Sequence, residues 1–286
     1  MGVRGVWTHF RSLFKRIEPT KIDEPLKLGI DMLSLLYTYR SCIDEFIALV
    51  NSWYAKGHTI TCVWDGVAPK EKKEIIVERR SIRDSALDKK SDLEKYLEEY
   101  GSELSDTDIK HIKAAIQSFS WQGWHLTANL KKEVQEKLAN TTFVYAKGEA
   151  DDLLLDMAFS KDIDVIVSLD SDMFVMGAPR IWRIINIRRD WIVEDISVEA
   201  VCDNWGISLT MLQDASFLAG WDRCYSQGKG GYMKFDTALT RVKHYGSWKN
   251  VLNKIEKGMP DEGVTEILNG LKKKSRERWQ QYLNNI

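Results

Sequence analysis

The chain lacks the sequence features of secreted, membrane-bound and zinc-binding proteins. Its few cysteines are scattered: Cys42, Cys62, Cys202 and Cys224. No CxxC spacing occurs, which argues against a disulfide framework or a zinc site and predicts buried thiols in a reducing compartment. There is no apolar run of about 18 residues and no apolar segment behind the first basic residues, so we expect neither a membrane span nor a signal peptide. These absences predict a soluble intracellular protein, nuclear or cytoplasmic.

An overall excess of positive charge, a common sign of nucleic-acid binding, is also missing. The chain has 41 Lys and Arg against 42 Asp and Glu, a net charge of −1. Positive charge is concentrated locally, between Lys70 and Lys90 and again between Lys272 and Arg278. Solvated helix faces have the same composition, so charge alone leaves both interpretations open.

Short apolar, β-branched segments alternate with helical patterns along most of the chain. Strands are predicted at 26–30, 59–64, 141–145 and 164–169, helices at 32–54 and 149–159, and a strand pair at 180–193 around a turn at 188–190. This alternation predicts an α/β fold with a mainly parallel twisted central sheet and helices on both faces. The polar segment 67–140 interrupts the alternation with helical patterns at 71–99, 106–119 and 130–138, which predict a helical insertion.

Acidic residues stand where predicted strands end or helices begin: Asp31, Asp65, Glu149, Asp151, Asp170, Asp172 and Asp222. One such residue is usually a helix cap, but seven together indicate a shared site. The carboxyl ends of parallel strands lie along one edge of the sheet, so these side chains are expected to converge there. Crowded carboxylates repel one another unless cations neutralise them, and an all-oxygen set suits Mg²⁺ or Mn²⁺. Two such ions about 4 Å apart favour phosphodiester hydrolysis.

Six segments in order resemble the motifs of the XPG and flap endonuclease family. They are MGVRGVW at 1–7, GIDMLSLLY at 29–37, VWDGVAP at 63–69, GEADD at 148–152, SLDSDMFVMG at 168–177 and LAGWD at 218–222. The resemblance implies a PIN-like 5′ nuclease fold forming a single nuclease domain over 1–286. Its parts would be an N-terminal nuclease region at 1–66, a helical arch insertion at 67–140, an internal nuclease region at 141–222, and a helix-turn-helix region that binds duplex, with C-terminal helices, at 223–286. GEADD is closer to bacterial and phage enzymes while the N-terminus looks eukaryotic, which suggests a viral or divergent member.

The resemblance also implies the metal ligands. Asp31, Asp65, Glu149 and Asp151 would hold one Mg²⁺ ion; Asp170, Asp172 and Asp222 would hold the other, with some sharing. Mn²⁺ could replace Mg²⁺. Asp152 would at most assist, and Asp156 is expected to be solvated.

Basic residues after Asp65 match the positions that the family places over the scissile phosphate. Lys72 and Arg79 are seven apart on one helix face and would stabilise developing negative charge. On a neighbouring stripe, Lys73 and Arg80 would contact backbone phosphates. The alternative is that these are ordinary solvated helix charges.

Other substrate contacts follow from the same resemblance. Gly2 and Arg4 would lie near the substrate, with Gly2 exposed by removal of the initiator methionine. Tyr37 matches a base-stacking aromatic, although a core role is an alternative because it shares a helical stripe with Leu33.

The segment 238–248 resembles the family's duplex-binding helix-turn-helix, which uses a glycine-rich loop and often a K⁺ ion. Here the glycines are Gly228, Gly230 and Gly231, and Lys234 stands where the family has its loop glycine. Loop amides before a helix can still bind phosphate, but this departure leaves the K⁺ site open.

The function implied is a Mg²⁺-dependent structure-specific endonuclease and 5′ exonuclease that acts on 5′-flap or branched DNA in replication, repair or recombination. The alternatives are an RNA-cleaving relative of the same fold, a non-catalytic nucleic-acid-binding scaffold, and a dimeric junction resolvase. We expect a monomer. Gln280, Leu283 and Ile286 lack the paired aromatics of a sliding-clamp peptide, so that partner is not supported.

Overall fold

A computed structural model of the chain describes residues 2–68, 73–186, 191–224, 231–258, 260 and 262–285, without the side chains of Lys73 and Ile75. The strands are β1 Lys15–Ile17, β2 Lys27–Asp31, β3 Thr59–Trp64, β4 Thr142–Tyr145, β5 Val165–Val167, β6 Ile181–Ile184 and β7 Val193–Ile196. The α-helices are α1 Val6–Phe10, α2 Met32–Thr38, α3 Ile43–Ala55, α4 Lys73–Tyr100, α5 Asp106–Gly123, α6 Ala128–Lys137, α7 Ala150–Phe159, α8 Asp172–Val175, α9 Val198–Trp205, α10 Leu209–Leu218, α11 Phe235–Tyr245, α12 Trp248–Lys254 and α13 Glu262–Asn284.

The strands form one sheet in the order β1-β7-β6-β5-β2-β3-β4. The neighbours from β6 to β4 are parallel, and β7 and β1 extend the β6 edge in antiparallel pairs. Central strands covered on both faces need apolar residues at every position, and β5 is buried at all three of its positions. The predicted α/β fold with a mainly parallel sheet is confirmed.

The register aligns the ends of the central strands. Asp31 pairs with Val63 of β3, and its neighbour Ile30 pairs with both Cys62 and Val167. The residues that follow β3 and β5 therefore leave the sheet at the same edge as Asp31. This is the edge at which the acidic residues were expected to meet.

The chain divides into two compact units, one made of Met1–Pro69 with Lys132–Ile286 and the other of Lys70–Lys131. The smaller unit is built on α4 and α5. Gly123 permits their close approach, because a Cβ atom there would lie 2.4 Å from Leu87 Cδ2. Ser105 caps α5 by accepting from the amide of Asp108. The helices expected between 67 and 140 are therefore present.

The predicted helix at 32–54 is wrong in one respect, because it is interrupted between α2 and α3. Tyr39 leaves the helical path: its ring stacks on Phe46 at 6.0 Å and its hydroxyl donates to the Ile184 carbonyl at 3.2 Å. These tertiary contacts outweigh helical periodicity. Strand β1 was not predicted, because three mainly polar residues carry no strand pattern. The expected turn at 188–190 lies outside the described residues.

All four cysteines are buried and unbridged, as predicted. Within the part of the chain that the structure describes, no helix combines the length and apolar character needed to cross a membrane.

Glu194 of β7 is a buried carboxylate whose negative charge is compensated by arginine side chains. Only 1% of its side chain is exposed, and it accepts from Arg183 Nε at 2.9 Å and Arg11 Nε at 3.4 Å. The guanidinium of Arg183 also lies over the Trp7 ring, 5.2 Å from its centroid. Most of the Arg11 side chain is exposed, so Arg183 supplies the less solvated of the two contacts.

We expect Arg183→Met to lower the free energy of unfolding by about 3 kcal/mol, because it leaves a buried carboxylate poorly compensated. Urea denaturation would measure the loss. Lys132→Met is the control, since it breaks an exposed pair with Glu136 and should change stability little. Equal losses in the two variants would contradict this account of Glu194.

Candidate active site

Asp31 closes β2 and begins the site. Its Oδ1 accepts the Ser34 amide at 3.2 Å, which caps α2, and its Oδ2 accepts the Ser168 hydroxyl at 2.8 Å. Only 4% of the residue is exposed. Burial raises its pKa well above the ordinary value, and the nearby carboxylates of Asp151 and Asp65 raise it further.

Asp65 links the end of β3 to the start of α7. Its Oδ1 accepts the amide of Ala150 at 2.7 Å, so the first turn of α7 is held beside the sheet edge. Gly66 allows this approach: a Cβ atom there would lie 2.0 Å from the Ala146 carbonyl oxygen. Glu149, the N-cap of α7, and Asp151 in its first turn are thereby brought next to the strands.

The loop after β5 carries two more of the predicted acids, Asp170 and Asp172. Ser168 Oγ accepts the Asp170 amide at 3.1 Å, and Asp170 Oδ1 accepts the Asp172 amide at 3.1 Å. Asp172 is buried, and its Oδ1 accepts Trp221 Nε1 at 3.0 Å. This last bond joins the loop to the segment after α10 that contains Asp222.

Each of the seven predicted carboxylates lies close enough to at least one other for electrostatic repulsion, and these interactions link all seven. Burial raises the pKa of Asp151 to about 6; Asp170 and Glu149 add to the shift, and Arg223 opposes it. Burial also raises the pKa of Asp172, with Asp170 and Asp222 as the next largest causes. We call these seven residues the carboxylate cluster: Asp31, Asp65, Glu149, Asp151, Asp170, Asp172 and Asp222.

A buried arginine, which sequence reasoning missed, lies within the carboxylate cluster. Arg223 Nε donates to Asp172 Oδ2 at 3.2 Å, and Nη2 donates to Asp151 Oδ2 at 2.9 Å. Nη2 also lies 3.5 Å from Glu149 Oε2. Only 6% of the arginine side chain is exposed. Burial alone would lower its pKa, but the surrounding carboxylates raise the pKa above its ordinary value, so the guanidinium is charged.

The cluster has no ready-made metal cage. Within the described ranges, no three acidic, imidazole or thiol side chains are grouped so that they could hold a metal ion as they stand. The facing carboxylates of Asp151 and Asp172 are joined instead through Arg223.

Asp152 pairs with Arg223 and with two basic residues of α13. Burial would raise its pKa, but Arg223 at 3.6 Å, Lys274 at 2.9 Å and Arg278 at 3.1 Å together lower it to about 2. Asp156, expected to be solvated, is half-exposed and accepts from Arg278 Nε at 2.7 Å. Both residues thus anchor α13 to α7.

The N-terminus packs against the loop after β5. The Val3 amide donates to Ser171 Oγ at 2.7 Å. Gly2 adopts a φ of +53°, and a Cβ atom there would lie 2.2 Å from Ser171 Oγ and 2.4 Å from Asp170 Oδ1. Gly2 therefore touches the carboxylate cluster directly.

The chain is similar in sequence to known flap endonucleases. The XPG I-region family model matches residues 140–222. Flap endonuclease 1 of Haloquadratum walsbyi is 26% identical over 191 residues, covering 67% of this chain and 53% of that protein. Flap endonuclease 1 of Methanosarcina acetivorans is 25% identical over 218 residues, covering 72% and 59%. The chain is similar to the flap endonuclease/XPG-type nucleases. It spans little more than half the length of these curated relatives.

Solved structures share the fold of this chain. The catalytic core of Rad2 in complex with DNA substrate aligns with a TM-score of 0.63 and 17% identity over 95% of this chain and 80% of that one. Flap endonuclease-1 from Methanococcus jannaschii gives 0.59 and 21% over 92% and 83%. Human GEN1 in complex with Holliday junction DNA gives 0.57 and 15% over 96% and 62%. The predicted PIN-like nuclease fold is confirmed.

The remaining predicted substrate contacts lie at different places in the chain. Tyr37 follows the buried turn of α2 and is 40% exposed, so it is not a core residue. Arg4 is exposed, and exposed Lys234 is the N-cap of α11. The backbone of Gly231 packs against Ala219, where a Cβ atom would lie 2.2 Å from the carbonyl carbon.

The predicted phosphate-binding residues of α4 belong to the smaller compact unit. Arg79 and Arg80 are exposed, and Arg80 pairs with Asp84 at 3.8 Å. Lys73 begins α4. Lys72, Gly228 and Gly230 lie outside the described residues.

Several residues that hold the site together escaped sequence reasoning. Arg223 and Trp221 flank Asp222, and Ser168 precedes Asp170 by two positions, so proximity to the motifs was their only signal. A basic residue directly after a predicted ligand usually points to solvent, whereas Arg223 points inward.

We expect Gly2→Ala to weaken Mn²⁺ binding by about tenfold, because the added methyl would displace Asp170 or Ser171. Isothermal titration calorimetry would measure the affinity. Gly258→Ala is the matched control, since its Cβ would have no neighbour within 4 Å. Unchanged affinity in Gly2→Ala would show that this contact does not position the acids.

We expect Asp31→Asn to stabilise the chelator-treated protein more at pH 8 than at pH 5. Unfolded Asp31 ionises near pH 4, whereas its folded pKa is raised, so its stabilising contribution is lost as pH rises toward the folded pKa. The neutral amide avoids this loss and should raise Tm by about 3 °C at pH 8. Exposed Asp23→Asn is the control. A Tm difference independent of pH would refute the assignment of a raised pKa.

Proposed function

We propose that this protein is a structure-specific 5′ nuclease that hydrolyses DNA phosphodiesters with two divalent cations. The observation that carries the proposal is the convergence of seven carboxylates at the carboxyl edge of the sheet. Burial and neighbouring acids raise the pKa of Asp31, Asp151 and Asp172. A bound cation would relieve this repulsion, so such a site favours cation binding. The resemblance of six ordered segments to the motifs of the flap endonuclease family supports the same reaction.

The donor set fits Mg²⁺ or Mn²⁺. It consists of carboxylate oxygens without His or Cys, which suits hard cations. Asp31, Asp65, Glu149 and Asp151 would hold one ion, and Asp170, Asp172 and Asp222 the other. When bound, such ions lower the pKa of water and polarise the phosphate.

The protein's own groups would position and polarise the DNA. Lys72 and Arg79 are proposed to stabilise the charge that develops on the scissile phosphate. The exposed ring of Tyr37, two turns along α2 from Asp31, offers a face for stacking on a base. Gly2 and Arg4 would contact DNA beside the Asp170 loop, and Lys73 and Arg80 would contact backbone phosphates.

Duplex DNA is proposed to bind at the helix-turn-helix formed by α11 and α12. Gly246 ends α11 in the left-handed conformation, and Ser247 caps α12. Lys234 is exposed at the start of α11, where its charge and the free backbone amides suit a phosphate. Gly228 and Gly230 would complete this loop, and a K⁺ ion there is part of the proposal.

DNA is favoured over RNA because the Rad2 core is in complex with DNA substrate and human GEN1 is in complex with Holliday junction DNA. A non-catalytic scaffold is disfavoured, because such a protein has no need of seven converging acids that repel one another. Roles in DNA replication, repair or recombination accord with this substrate class.

A cleavage assay with end-labelled substrates would test the function. With Mg²⁺ we expect cutting of a 5′-flap DNA near the junction, no cutting after chelation, and a loss of at least about a hundredfold in rate for Asp170→Ala. Asp23→Ala is the control, because Asp23 is an exposed acid outside the six motif segments.

The substrate panel separates the alternatives. Equal cutting of 3′ flaps or plain RNA would contradict structure-selective action on DNA. Binding of the flap without cleavage in Mg²⁺ would favour a scaffold, and full activity of Asp170→Ala would overturn the metal assignment.

A further inference from the structure

Arg223 makes its closest contacts with residues proposed to bind metal. Its Nη2 and Nε atoms reach Asp151 at 2.9 Å and Asp172 at 3.2 Å. By the ligand assignment above, these two residues belong to different metal ions. The guanidinium therefore bridges both halves of the carboxylate cluster.

The guanidinium and a divalent ion compete for the same oxygens. Mg²⁺ binds carboxylate oxygen at about 2.1 Å in strict octahedral geometry. The oxygens facing Arg223 are Asp151 Oδ2 and Asp172 Oδ2, while Asp172 Oδ1 already accepts Trp221 Nε1. A dication on those oxygens would sit beside a buried guanidinium, and the like charges would repel strongly in a largely buried site.

If Arg223 released Asp151 and Asp172, it would still have a third carboxylate, Asp152, as a partner. Its Nη1 lies 3.6 Å from Asp152 Oδ1, which is not a predicted ligand. Asp152 also forms ion pairs with Lys274 and Arg278, so its charge is compensated whether or not Arg223 moves. Asp152 can thus keep the arginine close to the cluster after Asp151 and Asp172 are given up.

We propose that Arg223 is the internal counter-ion of the cation-free site and that divalent ions must displace it from Asp151 and Asp172 in order to bind. The inference rests on the proposed metal-dependent function, but it concerns ion affinity rather than cleavage. Arg223 is therefore a residue that sets how tightly the site binds its metal.

The test compares Mn²⁺ affinity and chelated stability in wild type, Arg223→Met and Arg223→Lys. Methionine keeps the apolar stem without charge, and lysine keeps a charge that cannot span two carboxylates. We expect Arg223→Met to bind Mn²⁺ about tenfold more tightly than wild type. This is the effect expected when the ion no longer has to replace one charge-assisted hydrogen bond from the arginine. In chelator its Tm should fall, and Mn²⁺ should raise that Tm more than it raises the wild-type value.

Arg223→Lys should bind Mn²⁺ with intermediate affinity, and it carries the test if Arg223→Met does not fold in chelator. Arg180→Met is the matched control, because Arg180 pairs with Asp195 at 2.8 Å, away from the cluster. Its Mn²⁺ affinity should equal that of wild type.

Equal or weaker Mn²⁺ binding by Arg223→Met, or by Arg223→Lys if only that variant folds, would overturn the inference alone. Absence of Mn²⁺ binding in wild type and variants alike would overturn the proposed metal-dependent function and this inference with it. Electron paramagnetic resonance of free Mn²⁺ distinguishes the two results without any DNA substrate.

Discussion

Repulsion among buried carboxylates is the constraint around which this fold is arranged. Burial disfavours the charged form of Asp31, Asp151 and Asp172, and each is disfavoured further by neighbouring acids. Hydrogen bonds from protein donors offset part of this cost. Asp65 and Asp170 each accept a hydrogen bond from a backbone amide, and Asp172 accepts one from the Trp221 indole. The remaining imbalance is a deficit of positive charge at the sheet edge.

The rest of the larger unit holds these acids against their repulsion. Parallel strands β2, β3 and β5 fix the positions at which three of the acidic segments leave the sheet. Behind them, α13 is secured by buried polar contacts: Gln213 Nε2 donates to Ser275 Oγ at 2.9 Å, and Lys272 pairs with Asp214. Arg278 then fastens α13 to α7, the helix that presents Glu149 and Asp151. A rigid frame is needed because flexible acids would move apart.

The sequence was sufficient to place the acids but not the groups between them. Strands β3 and β5 are short apolar runs, so the acids that follow them could be assigned to one edge by topology alone. Arg223 could not, because spacing does not say whether a charged side chain points inward. The break at Tyr39 and the pairing of Asp156 with Arg278 likewise depend on partners far away in sequence. Local pattern predicts secondary structure and its ends, whereas long-range contacts decide side-chain direction.

Arg223 changes how the carboxylate cluster is understood, because crowded acids can be tolerated without a divalent ion if the chain supplies a cation. One guanidinium is nevertheless too little for seven carboxylates, and the pKa of Asp151 stays near 6 although Arg223 lies 2.9 Å away. Under the proposal above, a divalent ion entering this site would replace Arg223 at two carboxylates, so its binding would require movement of one side chain. The affinity of the site for metal is then a difference between competing cations and not a property of the acids alone.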